Sequence, residues 1–387
     1  MSIPKVTFWR VILAVILAAG AYATILRFTR GLGATTNLSD SFPWGLWIGF
    51  DVMCGVMLAA GGFTLTATVY IFNLKKFKPI VRPTILTAFL GYLLVVVALL
   101  FDLGRGYRIW HPLVMWNPRS VMFEVAWCVT LYTTVLSLEF AAVIFERFHW
   151  QKLLRIQHAI TIPLVITGVM LSTLHQSSLG SLYLIVPNKL HPLWYTPLLP
   201  VLFFVSAICV GLAMTIFESC MSSRHFGKQL EMPLLTTLGR TLLVALVLYS
   251  VLRFQDLIQR GALKFVAHGG YEANLFLLEI GMGLAIPIAL LLVPRIRQSA
   301  GGLYFCSILV VLGFVTNRMN VAITGMEASA GIHYFPKWTE MAVTASIIGV
   351  AFAIFALAVK YLPIFQAEEE HPALSGQEVS ELSHART

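Results

Sequence analysis

GLWIGFDVMCGVMLAAGGFTLTATVYIFNL, Gly45 to Leu74, is apolar along almost its whole length, and so is TILTAFLGYLLVVVALLFDL, Thr84 to Leu103, on the far side of the cationic segment KKFKPIVRP. Each run is long enough to cross a hydrocarbon core of about 30 Å as a helix. Neither alternates apolar and polar residues with a period of two, which excludes the strands of a membrane barrel. Two apolar runs joined by a short basic turn read as a transmembrane helical hairpin.

The same pattern extends in both directions. Further runs occupy Phe8 to Ile25, Val121 to Phe145, Gln157 to His175, Leu198 to Met221, Thr236 to Leu257, Asn274 to Val293, Gly301 to Thr316 and Glu340 to Leu362. The chain of 387 residues is 58% hydrophobic and 12% charged, against roughly 45–50% and 25% in soluble domains. The expected fold is an all-α integral membrane protein of about ten transmembrane helices. Residues 1–362 form one polytopic domain, with a first four-helix bundle at about 45–175 and a second at about 198–316. Helices at 8–25 and 340–362 flank the bundles, and 363–387, polar and without aromatics, is expected to be a disordered tail. The segment Phe8 to Ile25 is read as a first helix rather than a signal peptide, because no cleavage site precedes Arg27.

The net charge of +9 does not point to nucleic acid, since the basic residues form short clusters between apolar runs. Lys75, Lys76, Lys78 and Arg82 fill one loop, Arg147, Lys152 and Arg155 the next, Arg224, Lys228 and Arg240 a third, and Arg295 and Arg297 a fourth. By the positive-inside rule these loops and both termini face the cytoplasm of a bacterial inner membrane. The opposite loops carry Trp44, Trp110, Trp116, Trp194 and Trp338 and face outward. Cys54, Cys128, Cys209, Cys220 and Cys306 form no CxxC or CxxCH motif, which argues against an iron–sulfur cluster, a zinc site or a c-type haem in this chain. Of the histidines only His158 and His175 fall in spans, at opposite ends of one helix, a pattern unsuited to haem b. No metal site is expected.

Ionisable side chains in a membrane helix are expensive, so their depth is informative. Asp51 opens the second span, Asp102 ends the third, Glu124 opens the fourth and His175 ends the fifth, which by alternation of helix direction places all of them toward the outer face. An acid and a histidine there suit proton exchange with a quinone. Such a ligand also needs a donor to its carbonyl and an apolar slot, for which His175, Gln176, Ser177, Ser178, Trp44, Trp47 and Arg105 are candidates. Asp102 and Arg105 stand equally well as an interfacial ion pair. Glu139 near the cytoplasmic side, with Arg253, Asp256, Glu279, Arg318 and Glu340 in the second half, supplies either a proton path or internal salt bridges.

FPWGLWIGFD (Phe42 to Asp51), YIFN (Tyr70 to Asn73), VRP (Val81 to Pro83), RSVMFE (Arg119 to Glu124), LEFA (Leu138 to Ala141) and FERF (Phe145 to Phe148) occur in order with LHQSSLGS (Leu174 to Ser181), HPLW (His191 to Trp194), VLRFQDLIQR (Val251 to Arg260) and FPKWTE (Phe335 to Glu340). Together they resemble the NrfD/polysulfide reductase membrane-subunit family, and within it the HybB-like branch. The resemblance implies a subunit without prosthetic groups that binds menaquinone near the outer face against a ferredoxin-like iron–sulfur subunit. It implies a nickel–iron hydrogenase or a multihaem cytochrome c complex as the larger assembly, and Asp51, Asp102, Glu124 and His175 as the quinone and proton-handling set. Two other readings are a secondary transporter, which the glycines Gly55, Gly61 and Gly62 keep open although close packing explains them too, and a passive anchor for peripheral redox subunits.

Overall fold

A computed structural model of the chain describes residues 8–227 and 230–365. Among the described residues ten helices are long and apolar enough to cross a membrane: α1 (Phe8–Arg30), α2 (Trp47–Ile71), α3 (Lys75–Asp102), α4 (Val121–Arg147), α5 (Gln151–Leu184), α6 (Leu199–His225), α7 (Met232–Gln259), α8 (Tyr271–Leu292), α9 (Ala300–Ala330) and α10 (Trp338–Tyr361). With no strand among the described residues, the protein is an all-α integral membrane protein.

Three helices run well beyond the expected spans: α3 starts nine residues before Thr84, and two others extend at their C-terminal ends. α5 continues nine residues past His175, and α9 continues fourteen past Thr316. The polar residues that seemed to mark the ends are compatible with helix because their side chains bond within it. Ser178 Oγ bonds the carbonyl of Leu174 at 2.7 Å, and Ser181 Oγ that of Ser177 at 3.2 Å. His175 therefore lies about 14 Å inside its helix rather than at its end, and Arg318 is likewise interior.

Consecutive helices from α2 to α6 pack on one another, as do α6 with α7 and α9, and α8 with α9. For description, α2 to α5 are called the first bundle and α6 to α9 the second; α2 touches α6 and α9. α2 and α6 are central, with 78% and 67% of their apolar windows buried in protein, whereas α10 buries 11% and presents its surface to lipid. α1 packs mainly along α10, and α10 also touches α3. The first and last helices therefore close over one side of the first bundle.

Close approach relies on small residues. A Cβ on Gly61 would stand 3.2 Å from the Gly211 carbonyl oxygen, and one on Gly62 would stand 2.5 Å from Ala88 Cβ. Without a hydrophobic drive between helices in lipid, such backbone-to-backbone contact is a main source of association. The glycines of α2 are thus used in packing.

At the cationic end, Arg82 Nη1 donates to the Pro363 carbonyl at 3.1 Å, and Ile364 is buried against Leu86, Leu90, Phe140 and Val143. Pro363 to Phe365 thus continue the packed chain. The remainder of the expected tail, 366–387, and Lys228 of the third basic loop lie outside the described residues.

The tightest crossing is between α8 and α9, where a Cβ on Gly313 would fall 2.1 Å from the Gly283 Cα. Gly313→Val is expected to force these helices apart, at about 1–3 kcal/mol. The thermal midpoint in detergent should fall, whereas Gly301→Ala, where a Cβ meets nothing within 4 Å, should leave it nearly unchanged.

Candidate functional site

α2 begins with a π-helical segment, Trp47–Cys54, an uncommon geometry that recurs at functional sites. It carries Asp51 one turn from the helix start, buried, with Oδ2 accepting from Thr344 Oγ1 of α10 at 2.8 Å. Asp102 is the last residue of α3. Arg27 of α1, 5% exposed, clamps the carbonyls on either side of it, Nε to Phe101 at 2.7 Å and Nη2 to Leu103 at 2.9 Å. A cation is well placed at a helix C-terminus, where unpaired carbonyls concentrate negative charge. Asp102 Oδ1 is itself buried without a hydrogen-bond partner.

Glu340, at the start of α10, joins this group. Its Oε1 accepts from the backbone N–H of Asn37 at 2.8 Å and of Lys337 at 3.0 Å, and its Oε2 accepts from the Tyr334 phenol. The phenol oxygen in turn accepts from Leu46 N at 3.0 Å, and Trp47 Nε1 donates to the Glu340 carbonyl at 3.3 Å. Burial first, and then the hydrogen bond to Glu340, push the Tyr334 phenol up, so that it keeps its proton. Asp51, Asp102, Glu340 and Arg27 act electrostatically on one another in sequence around Asp102. The sequence places Glu340 with the second-half residues, but the fold brings it to Asp102.

A second set lies deeper in the first bundle. His175 is fully buried, with Nδ1 at 2.9 Å from the Tyr92 hydroxyl of α3 and Nε2 without any partner. Tyr92 meets Tyr132 of α4 edge-on at 4.6 Å, and Ser172 faces both phenols. Gln176 Nε2 donates to the Val56 carbonyl at 3.2 Å. Gln176 Oε1, Ser172 Oγ and the Tyr132 hydroxyl are, like His175 Nε2, buried and unpartnered. Such a concentration of orphaned polar atoms in one place is far from the usual satisfaction of buried groups.

One turn beyond His175, Ser178 Oγ stands 2.5 Å from Glu124 Oε1. Toward the cationic end, Glu139 is half-buried near Tyr132, with no hydrogen bond among the described residues. Of the remaining candidates, Trp47 is a core residue packed on Phe101, Trp44 meets Tyr183 edge-on at 5.6 Å, Ser177 is half-buried, and Arg105 is exposed. Asp102 and Arg105 make no ion pair; Arg27 takes the position beside the acid instead.

The second bundle is built differently. Glu279 accepts from three N–H donors: Trp194 Nε1 at 2.9 Å, Asn317 Nδ2 at 2.8 Å and Asn320 Nδ2 at 2.8 Å. Arg318 stacks 3.5 Å above the Phe203 ring centroid and donates to Asn317 Oδ1, the Phe203 carbonyl and Ser206 Oγ. Arg253 Nη2 donates to the Leu193 carbonyl at 2.8 Å. Among these acids only Asp256 is salt-bridged, to Arg260 at 2.6 Å, rather than to Arg253 or Arg318. The motif HPLW therefore ties the bundle together through Leu193 and Trp194.

Among the described residues no group of three His, Cys, Asp or Glu side chains is arranged to hold a metal ion. His158, on the exposed face of α5, cannot oppose His175, whose Nδ1 meets Tyr92; these histidines do not fit a bis-histidine haem.

The family model described as polysulphide reductase, NrfD, matches residues 34–330. The chain belongs to the NrfD family. A protein of Nitratidesulfovibrio vulgaris named without an activity is 39% identical over 94% of this chain and 95% of its own. The probable Ni/Fe-hydrogenase 2 b-type cytochrome subunit of Escherichia coli is 32% identical over 88% of each chain. The menaquinone reductase integral membrane subunit of Nitratidesulfovibrio vulgaris is 29% identical over 95% of this chain and 94% of its own. Relatives of this NrfD chain are thus membrane subunits of quinone-linked and hydrogenase complexes.

Within this family member the loop between α5 and α6 carries its own pH dependence. His191 packs on Phe265 and Trp194, and its Nδ1 accepts from Leu193 N at 3.3 Å. Burial lowers its pKa, opposed in part by Glu272. The unfolded chain therefore takes up this proton first. Stability from His191 is full above its ordinary value of about 6.5 and is lost as pH falls through that value toward the folded one. Thermal midpoints measured against pH should show this decline in the native protein and a flatter profile in His191→Asn.

Proposed function

We propose that this chain is the quinone-reactive membrane subunit of a respiratory oxidoreductase complex. It would pass electrons between menaquinone or menaquinol and an outward-facing ferredoxin-like iron–sulfur subunit, with coupled proton transfer. The observation that carries the reading is the unpartnered Nε2 of the fully buried His175, among the orphaned atoms of Gln176, Ser172 and Tyr132. A ligand with a carbonyl oxygen would satisfy the first of these.

Which nitrogen of His175 holds the proton follows from its neighbour. When the Tyr92 hydroxyl donates to Nδ1, Nε2 carries the N–H and becomes a donor to a carbonyl. Bound at this position, a quinone would supply the redox chemistry, each carbonyl oxygen gaining a proton on reduction and losing it on oxidation. Glu124 and Ser178 lie one turn away to exchange such a proton. The hydroxyl of Ser178 carries one hydrogen and has two acceptors in reach, Glu124 and the Leu174 carbonyl. When it turns to Leu174, a protonated Glu124 can donate to it instead. Asp51 and Asp102 extend the proton-handling set, and Glu139 beyond Tyr132 extends it toward the cationic end.

The positive-inside pattern supports a bacterial inner membrane with the cationic end cytoplasmic. The loop between α3 and α4 then faces outward. It exposes Arg105, Tyr107, Arg108, Trp110, Met115 and Trp116 beside Asp102 and Glu124, which supports docking of a redox subunit there. The hydrogenase name among the relatives favours a nickel–iron hydrogenase as the assembly, with a multihaem cytochrome c complex as the alternative.

Quinone extracted from the purified complex and quantified by mass spectrometry tests the reading. The native sample should contain menaquinone, His175→Ala should lose it, and Tyr92→Phe should retain it while slowing turnover by about 10²-fold or more, the scale of acid–base assistance. Equal quinone in His175→Ala would place the ligand elsewhere.

A further inference from the structure

The carboxylates of this chain differ in the chemistry of what they bond to. An N–H group only donates, so a carboxyl whose oxygens are filled by N–H donors must stay ionised to receive them, and a proton added there has no acceptor. A hydroxyl both donates and accepts, so a carboxyl beside one, or beside nothing, keeps its bond in either protonation state.

Glu279 is of the first kind. Trp194 Nε1 can only donate, and the amide orientations of Asn317 and Asn320 are fixed by what lies on their other side. Asn317 Oδ1 accepts from Arg318 at 3.1 Å, while Asn320 Oδ1 accepts from Thr324 at 3.2 Å and its Nδ2 also reaches the Leu275 carbonyl. Both amides therefore present N–H to Glu279. Glu340 likewise receives two backbone N–H groups, and its third partner, the Tyr334 phenol, has its oxygen engaged by Leu46 N and must donate. Asp256 receives Arg260 through both Nε and Nη2, with the Thr196 hydroxyl at 2.6 Å.

The others are of the second kind. Asp51 has one hydroxyl partner, Thr344, with Asp102 as its charged neighbour. Asp102 Oδ1 has none, and the charges facing it are Arg27, Glu340 and Asp51. Glu124 has the Ser178 hydroxyl, with the Cys128 thiol nearby. Glu139 has no hydrogen bond among the described residues and faces the Tyr132 and Tyr70 phenols. Glu218 has the Thr87 hydroxyl of α3 at 2.9 Å.

We propose that Asp256, Glu279 and Glu340 are fixed anions that stay ionised throughout turnover, and that Asp51, Asp102, Glu124, Glu139 and Glu218, on or facing the helices of the first bundle, carry exchangeable protons; Glu327, with Oε1 receiving Tyr334 N and Oε2 only the His333 ring at 3.6 Å, falls in neither class. The charges around Asp102 fit this division. Arg27 and Glu340 are a fixed cation and a fixed anion that both act on it and oppose one another, so neither form of Asp102 is imposed. In the second bundle Glu279 offsets Arg318 through the Asn317 amide and is spent on that task. Glu340 and Arg27 thereby act as positioning residues supplied by α10 and α1. The quinone reading enters only as what drives the protons; which carboxyls titrate is independent of it.

Infrared spectra of the purified full-length complex, recorded as a pH titration from neutral to alkaline and without added quinone, test the division. Solvated surface carboxyls are already ionised in that range. A protonated-carboxyl band that sharpens and shifts in deuterium oxide should be present in the native protein. Part of it should be lost in each of Asp51→Asn, Asp102→Asn and Glu139→Gln, and none in Glu279→Gln or Glu340→Gln. Loss of signal in either of the last two, or an undiminished band in both aspartate variants, overturns the proposal. Glu279→Gln puts an amide N–H against N–H donors and can fail to fold. Trp194→Phe then serves: the two amide N–H donors still fill both oxygens of Glu279, so a folded sample should show no new titrating band, and the appearance of one would overturn the assignment. Quinone loss or retention in His175→Ala is read separately and leaves these outcomes unaffected.

Discussion

Inside a bilayer a polar group must find its partner within the protein, because no water is present to replace a missing one. The placement of almost every informative residue here follows from that constraint. Arg27, the buried cation of a mainly apolar first helix, is stable because two carbonyls at the end of α3 need donors. Arg318 is stable because an aromatic face, two oxygens and an amide surround it. The same demand makes the exceptions meaningful. His175 Nε2, Gln176 Oε1, Ser172 Oγ and the Tyr132 hydroxyl depart from it together, within one bundle, and such departures are where a ligand or ordered water belongs.

The number and order of the helices were legible because apolar length is a direct statement about hydrocarbon thickness. The ends of α5 and α9 were not. Hydropathy counts Gln176, Ser177 and Ser178, or Asn317, Arg318 and Asn320, as exits from the membrane, whereas in the fold they turn inward and bond to backbone or to one another. A polar stretch flanking an intramembrane ionisable residue is thus as consistent with a buried network as with a loop. Length alone does not separate the two.

The candidate site was partly legible for a related reason. Asp51, Asp102, Glu124 and His175 stand out as charges or titratable groups in apolar runs. Tyr92 and Tyr132 do not, although a tyrosine in mid-span, far from the interfacial belt, is itself a signal that its hydroxyl has a use. Glu340 was visible but grouped with the wrong neighbours, because the packing of α1 and α10 against the first bundle is a property of the fold and has no trace in local sequence. Arg27 was visible too, as the one cation buried in the first span, and was read only as a boundary marker.

The contrast between the two bundles bears on how a membrane protein can hold charges and still move protons. A charge that must never change is best surrounded by groups that only donate or only accept, as Glu279 is by two amides and an indole. A proton that must move needs neighbours that tolerate both directions, as the Glu124 and Ser178 pair provides. These requirements conflict if they share one set of side chains, since each N–H donor added to steady a carboxylate makes its protonated form harder to reach. Placing the unchanging charges on α6 to α10 and the hydroxyl-flanked acids mainly on α2 to α4 removes the conflict. The fixed anion at Glu340 then meets the exchanging pair at the N-terminal end of α10, through Thr344 and Tyr334. A shift of helix α10 would therefore be felt first at Asp51, because its one side-chain hydrogen-bond partner among the described residues, Thr344, is carried by that helix.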